Sequence, residues 1–423
     1  MRYVPFYTLY VCLAGAQAVP PSLTLREAVE LAATTSPTVQ LARLKAAEAK
    51  VSAGIVASAY NPQLGAHVFM ASETNNLAAI GINIPGFTSR LGPYRVFDAR
   101  PVLSQTLLDL SLGSRMRAAR EQTSGAKLDG EAIREDAQAS VLELYLSIFE
   151  AESRIRAAQA RMDVAAALAD QTAKLESSGE GSKLDLARAR MQREAEQVSL
   201  ISARRDSRSL RAALLETIGL PPDASVKLTP PDNPNFNLPE ASSSRPDIQA
   251  LEARIRVAKL EEEAARRERL PKLSASASYG ALGAGPDRAL STYSVGATLS
   301  VPIWTGGRIE GEIEAASLRV RVLEKELERL KLQAARETAS SSVELTAGQE
   351  AASAAHAFAA FARQSLDLVR VRFSAGMATS VDVVTAQSRL AEAEELEIRS
   401  RYDAMLAKVR LAKASGSVLA YFD

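Results

Sequence analysis

Pro271-Lys272-Leu273-Ser274-Ala275-Ser276-Ala277-Ser278-Tyr279 is the stretch that decides how this chain reads. Leu273, Ala275, Ala277 and Tyr279 alternate with serines, and a period of two marks a strand with two chemically different faces. After a Gly-rich turn, Val295, Ala297, Leu299, Val301 and Ile303 alternate with Gly296, Thr298, Ser300 and Pro302. Each segment has about the length of a tilted membrane strand. Upstream, Asp247–Leu270 reads as a helix that ends at Pro271. Downstream, Arg308–Ser374 contains no proline. There Ile313, Ala316, Val320, Leu323, Leu327, Leu330 and Ala334 step by three and four, a heptad seam that packs along a partner helix. At 1.5 Å per residue such a helix reaches roughly 100 Å. Gly376-Met377-Ala378-Thr379-Ser380-Val381-Asp382 then reverses the chain into a return helix.

The same order of parts occurs once before. Pro37 and Pro62 lie 25 positions apart, as do Pro246 and Pro271, and the two pairs are offset by 209. Leu103-Ser104 matches Leu299-Ser300 at offset 196; Gly179, Asp185, Leu214 and Gly219 match Gly376, Asp382, Leu411 and Gly416 at 197. The offset falls by 13 within about residues 72–93, which predicts a longer loop in the first copy. An offset constant to within one residue on either side of a single loop marks a duplicated unit. The first copy then comprises a helix over Leu25–Ser58 and two strands. Leu64, Ala66, Val68 and Met70 line one strand face; Phe97, Ala99, Pro101, Leu103 and Leu107 line another. A long helix from about Gly113 to Ser177 follows, and then the reversal Gly179–Asp185. The first helix has a start signal at Thr24, with Glu27 placed to complete a capping box. Both reversals read Gly-x-x-Ser/Thr-x-x-Asp. Glycine stops one helix, the Ser182 or Thr379 hydroxyl caps the next, and Asp185 or Asp382 sits at the positive end of its dipole. Residues 220–244 are Pro-rich and read as a crossover between a first repeat over 19–219 and a second over 245–423.

Residues 1–18 read as an export signal: Arg2, an apolar run from Val4 to Ala14, and the small-x-small site Ala16-Gln17-Ala18. Without them the charged residues balance at 50 basic and 50 acidic, because the whole chain has 51 and 50 and the signal holds one arginine. A neutral balance argues against a nucleic-acid partner. The only cysteine, Cys12, lies in the signal, so the remaining chain is expected to carry no disulfide. No mature segment is apolar enough to predict a transmembrane helix. His67 and His356 are the only histidines, and neither has a second ligand at metal-binding spacing. Ser124-Gly125-Ala126-Lys127 lacks companion motifs, and the carboxylates on the helices alternate with arginine as on a solvated face. No catalytic constellation, metal site or cofactor motif is expected.

Alternation alone serves a soluble hairpin over a core as well as a membrane wall. Asp98 and Arg100 on one strand face of an exported protein favour a wall with a wet side and a lipid side.

Leu23-Thr24-Leu25-Arg26-Glu27-Ala28, Ser244-Arg245-Pro246-Asp247, Pro302-Ile303-Trp304-Thr305-Gly306-Gly307-Arg308 and the two reversals together resemble the outer membrane efflux family, the TolC-like outer membrane factors. The resemblance covers essentially the whole mature chain. Only the first strand-to-helix junction departs, with Thr106-Leu107-Leu108-Asp109-Leu110-Ser111 in place of the proline and double glycine. The resemblance implies a mainly α fold with membrane β structure. Three chains would form a twelve-stranded outer-membrane barrel in lipid, continued by a periplasmic α-helical coiled-coil barrel. It further implies a passive exit duct for an efflux or type I secretion system, with a periplasmic adaptor and an inner-membrane pump or ABC exporter as partners. Asp382 matches the family's pore constriction; Asp185 is its counterpart, and Thr385 stands where a second acidic residue is usual. Gly179, Ser182, Arg372, Gly376, Thr379 and Ser380 are the implied adaptor-docking residues. The competing reading is a coiled-coil spacer of the cell envelope with no pore.

Overall fold

A computed structural model describes residues 22–82, 85–86, 88–231, 245–375 and 377–422. The export signal with Cys12, the second half of the crossover (232–244) and Gly376 lie outside the described residues. In chain order the elements are β1 (Ser22–Leu23), α1 (Leu25–Thr35), α2 (Pro37–Ser58), β2 (Gln63–Asn76), β3 (Arg90–Leu108), α3 (Leu110–Ser177) and α4 (Lys183–Thr217). They continue with β4 (Lys227–Leu228), α5 (Pro246–Arg267), β5 (Lys272–Gly283), β6 (Ala289–Ser300), α6 (Arg308–Ser374), α7 (Ser380–Ala414) and a 3-10 turn over Val418–Phe422.

The duplication appears as matched lengths. Helices α2 and α5 have 22 residues each, α3 and α6 have 68 and 67, and α4 and α7 have 35 each. The anchoring prolines Pro37 and Pro246 are the first residues of α2 and α5, where proline's fixed φ suits a helix start and its missing N–H goes unneeded. That same preference corrects one expectation. Leu25–Ser58 is two helices, because the residue before a proline avoids the helical region. Ser36 stands at φ −52°, ψ 130°, and breaks the run. The Thr24 capping box forms as predicted. The longer first-copy loop joins β2 to β3 and includes a 3-10 turn over Leu77–Ile80.

The chain divides into two compact units, each drawing on both copies. One comprises the described parts of 1–41, 133–245 and 334–423. Its core packs Val29, Val141, Leu142, Tyr145, Leu146, Leu214, Ile218, Val409, Val418 and Tyr421. Two-residue strands β1 and β4 pair in parallel beside that core. The Tyr145 hydroxyl bridges them, lying 2.9 Å from the Leu23 carbonyl and 2.7 Å from that of Thr229. Burial pushes the Tyr145 phenol up to about 12. The 3-10 turn near the C-terminus closes this core with Val418 and Tyr421.

The other unit (42–132 and 246–333) holds a four-stranded antiparallel sheet in the order β2-β3-β5-β6. Strand β6 stops at Ser300, short of the expected Ile303, since Pro302 has no N–H to give a ladder.

The heptad seam of α6 is present. Val320 and Ala334 are buried, and Ile313, Ala316, Leu323, Leu327 and Leu330 are half-buried between exposed neighbours. The same steps continue through the buried Leu345, Ala355, Ala359, Ala362 and Leu366. A second apolar set on the helices is left exposed by the described residues. It includes Leu41, Leu44, Val51 and Ile55 of α2, Leu184, Met191, Val198 and Ile201 of α4, and Leu318, Val322, Leu332 and Val343 of α6.

Candidate functional site

Strand register sorts the sheet's side chains into two faces. Leu64, Ala66, Val68 and Met70 of β2 stand opposite Leu103, Pro101, Ala99 and Phe97 of β3. Leu103 and Ala99 stand opposite Ala277 and Ala281 of β5, and Ala277 and Tyr279 opposite Val295 and Tyr293 of β6. The two apolar sets read from the sequence are thus one apolar face. It is open to its surroundings: Leu64, Val68, Tyr293 and Val295 are each about three-quarters exposed, at 75, 76, 79 and 76%. Past the end of β6, Ile303 and Trp304 are almost fully exposed. An uncovered apolar face beside a polar one is the pattern of a strand wall between lipid and water.

The opposite face carries His67, Asp98, Arg100, Ser276, Ser278, Thr292 and Ser294. Arg100 and Asp98, two residues apart on β3, form a fork-to-fork pair, with Nε 2.6 Å from Oδ1 and Nη2 on Oδ2. This face is less uniformly polar than the alternation predicts, because one row runs Phe69, Asp98, Leu282, Leu290. A bulge between Thr106 and Leu108 also sets Leu108, rather than Leu107, opposite Leu273.

In the first unit the two helical reversals are capped as the sequence predicts. Gly179 is left-handed at φ 80°, and Ser182 Oγ accepts from the Leu184 N–H (3.1 Å). In the second reversal Thr379 and Asp382 cap one another reciprocally. The Asp382 N–H donates to Thr379 Oγ1 (3.3 Å), and the Thr379 N–H donates to Asp382 Oδ2 (2.8 Å). The Thr379 backbone and side-chain hydrogen bonds hold the Asp382 carboxyl below its ordinary value.

A family model described as outer membrane efflux protein matches residues 28–220 and 237–417. The chain belongs to the outer membrane efflux protein family. It is an outer-membrane protein with a periplasmic helical extension. Among curated relatives, the outer membrane efflux protein BepC of Brucella suis is 27% identical over 277 residues, 63% of this chain and 57% of BepC. The pyoverdine export outer membrane protein OpmQ of Pseudomonas aeruginosa is 30% identical over 182 residues, 42% of this chain and 38% of OpmQ. The chain therefore matches little more than half the length of BepC and less of this OpmQ. Among solved structures, the CmeC outer membrane channel of Campylobacter jejuni superposes with TM-score 0.83 at 18% identity, over 93% of this chain and 85% of CmeC. VceC of Vibrio cholerae gives 0.79 at 19%, over 93% and 96%.

Within this efflux-family fold the sequence-predicted residues separate. Asp185 and Thr385 line one cavity of about 210 Å³, together with Arg188, Val381 and Val384; Asp382 is not in that lining. Asp382 and Thr385 are exposed, and Asp185 is half-buried. Arg372 reaches around its own reversal, with Nη2 3.4 Å from the Met377 carbonyl oxygen. Ser380 is the first residue of α7.

Sequence reasoning missed a charge network in the same unit, having read these side chains as a solvated face. Gln192 and Arg161 both bond Glu196, at 2.9 and 3.0 Å, and Arg161 also approaches Glu394 at 3.8 Å. Arg363 bridges Glu394 (3.6 Å) to Glu397 (2.8 Å), and Glu397 holds the His356 ring at 2.6 Å. The chain of contacts links α4, α3, α7 and α6. Burial pushes the Glu397 carboxyl up, but hydrogen bonds from His356 and Arg363, with their charge, outweigh it and hold the group low. A signal existed: Glu196 occupies a seam position among the buried Ala189, Leu200, Ala203 and Ser207.

Proposed function

We propose that this protein is the outer-membrane duct of a tripartite export assembly, closed by three copies of the chain. The open sheet carries this reading. Four strands are half of the smallest barrel that spans an outer membrane, and the unpaired edges β2 and β6 cannot stand in lipid. Copies joined β6 to β2 around an axis remove every edge, and three copies give the twelve strands that the resemblance implies. The uncovered apolar stripes on α2, α4 and α6 support the same head-to-tail closure, with first-repeat helices of one chain against second-repeat helices of the next. In that assembly the strand wall continues into a periplasmic tunnel of helices. The repeats at 19–219 and 245–423, joined by the Pro-rich segment 220–244, supply its two interlocking halves.

The helical reversals form the periplasmic mouth of the duct. Asp185, Asp382 and Thr385 constrict it. Gly179, Ser182, Arg372, Gly376, Thr379 and Ser380 form the surface that meets a periplasmic adaptor and, through it, an inner-membrane pump or ABC exporter. BepC is named for efflux and OpmQ for pyoverdine export; here the pump selects the cargo and this chain conducts it. No step of the transport requires this chain to catalyse a reaction.

Particle mass in detergent and planar-bilayer conductance test the reading together. A trimer that conducts is the expected result. Release by salt without detergent, or a monomer that forms no pore, would establish the envelope spacer instead. At the mouth, Asp382→Asn keeps an acceptor for the Thr379 N–H and removes only charge. Reduced cation preference is expected; unchanged preference and open time would remove Asp382 from the constriction.

A further inference from the structure

We infer that the barrel wall holds its own charge-setting station, separate from the periplasmic mouth, built from Arg100 and Asp98 with His67 beside them. The inference rests on the trimeric duct proposed above, which makes the polar sheet face the lumen. Four observations converge on this station.

The first is placement. His67 of β2 stands opposite Arg100 of β3, and the row continues through Gly280 of β5 to Thr292 of β6. One polar row thus crosses all four strands and would recur three times around a closed wall.

The second is fit. A Cβ added at Gly280 would lie 2.3 Å from the Ala99 carbonyl oxygen and 2.8 Å from both Cα and Cγ of Arg100. Glycine at this position lets the arginine stem lie flat against the sheet. The pair is accordingly well covered even in a single chain, with side-chain exposures of 28% for Arg100 and 21% for Asp98.

The third is surroundings. Phe69 and Leu282 flank Asp98 in its own row, so the pair borders apolar surface, where charge is screened less than in open water. The cavity on this face, about 320 Å³, is lined by His67, Asp98, Arg100, Ser276, Ser278 and Ser294.

The fourth is unused bonding capacity. The fork to Asp98 occupies two guanidinium donors and leaves others for a passing solute. Among the described residues the Thr292 hydroxyl oxygen, enclosed in the same row, has no hydrogen-bond partner.

The pair keeps the lumen wall electrically balanced, so solutes of either sign pass. Removing either partner turns the wall into a charge filter: Asp98→Asn leaves three arginines facing the lumen, and Arg100→Gln leaves three aspartates. At several ångströms an uncompensated charge of this kind changes the local concentration of a singly charged solute by a few-fold to about ten-fold.

The test places a cysteine one row away, Ser294→Cys, with Cys12→Ser, in outer-membrane vesicles. Anionic and cationic methanethiosulfonate reagents are added from outside, so the periplasmic mouth does not enter the measurement. The ratio of their reaction rates reads the local potential. Asp98→Asn should shift that ratio a few-fold towards the anionic reagent and Arg100→Gln a similar amount towards the cationic one. The double variant Asp98→Asn/Arg100→Gln should return it to the starting value, which also shows that the wall survives substitution. A cysteine that reacts readily with a ratio indifferent to both single changes overturns the station and leaves the duct intact. A cysteine that reacts with neither reagent, while Val295→Cys on the other face does, overturns the duct and the station with it.

Discussion

The two copies turn from strand to helix by different chemistry. In the second copy, β6 reaches α6 through seven residues, and the turn is made by backbone: Pro302 ends the ladder, and Gly306 and Gly307 take left-handed φ of 64° and 84°. In the first copy only Asp109 separates β3 from α3. Its Oδ1 accepts from the Leu112 N–H (3.0 Å) and the Ser111 hydroxyl (2.7 Å), and its Oδ2 lies 3.4 Å from Lys272. Lys272 and Arg115 both bond Glu268, at 3.0 and 2.6 Å, and the Tyr60 hydroxyl donates to the Asp109 carbonyl (2.5 Å). A charged clasp from three stretches of the chain does what two glycines do in the other copy. Duplicated geometry need not preserve the residues that impose it.

The sharpest way to break this contrast is Glu268→Gln. The buried carboxylate serves Arg115 and Lys272, so its loss should cost about 2–3 kcal/mol, read as a lowered midpoint of chemical unfolding in detergent. A change below about 0.5 kcal/mol would show that the clasp is ornamental. Next in size is Gly307→Ala. A Cβ at φ 84° meets nothing within 4 Å, so any cost of about 1–2 kcal/mol is backbone strain alone. Unchanged stability would mean the second junction does not depend on its glycines.

Acid should separate the junctions as well. Burial pushes Glu268 and Asp109 up, yet Lys272, Arg115, Ser111 and the Leu112 N–H outweigh it and hold both below their ordinary values of 4.5 and 3.8. A depressed folded-state pKa means stability that is complete above the unfolded value and lost as pH falls through the folded one. Wild type should therefore lose unfolding temperature below about pH 4 more steeply than Asp109→Asn/Glu268→Gln. Parallel curves would sink the argument. Asp109→Asn alone is the smallest effect. Asparagine caps as well as aspartate, so only the attraction to Lys272 is lost, about 0.5–1 kcal/mol by the same melt.

Much of this was legible in sequence because it is local or periodic. Pro246 announced a helix start, the three-four steps from Ile313 to Ala334 announced the seam, and Thr24, Ser182 and Thr379 announced their caps within three residues of the groups they bond. Ser36 was missed because the apolar pattern runs on through a break set by the next residue's ring. The network from Gln192 to His356 was missed because arginine and glutamate on a helix look alike whether they face water or another helix. Asp109 was recognised only as a departure, since its partner Lys272, and the Glu268 that shares it, lie far along the chain.

From its sequence alone the chain fixed its repeat, its periods, its helix ends and the chemistry of each strand face, because each depends on neighbours a few bonds or one turn away. Tertiary structure alone decided that the two apolar strand sets form a single face, that Arg100 lies over Gly280, and that Glu268 completes a junction in the other copy. Those facts depend on strand register and on which helix lies beside which. Both are set by the summed packing of residues far apart in the chain, and no local preference encodes them.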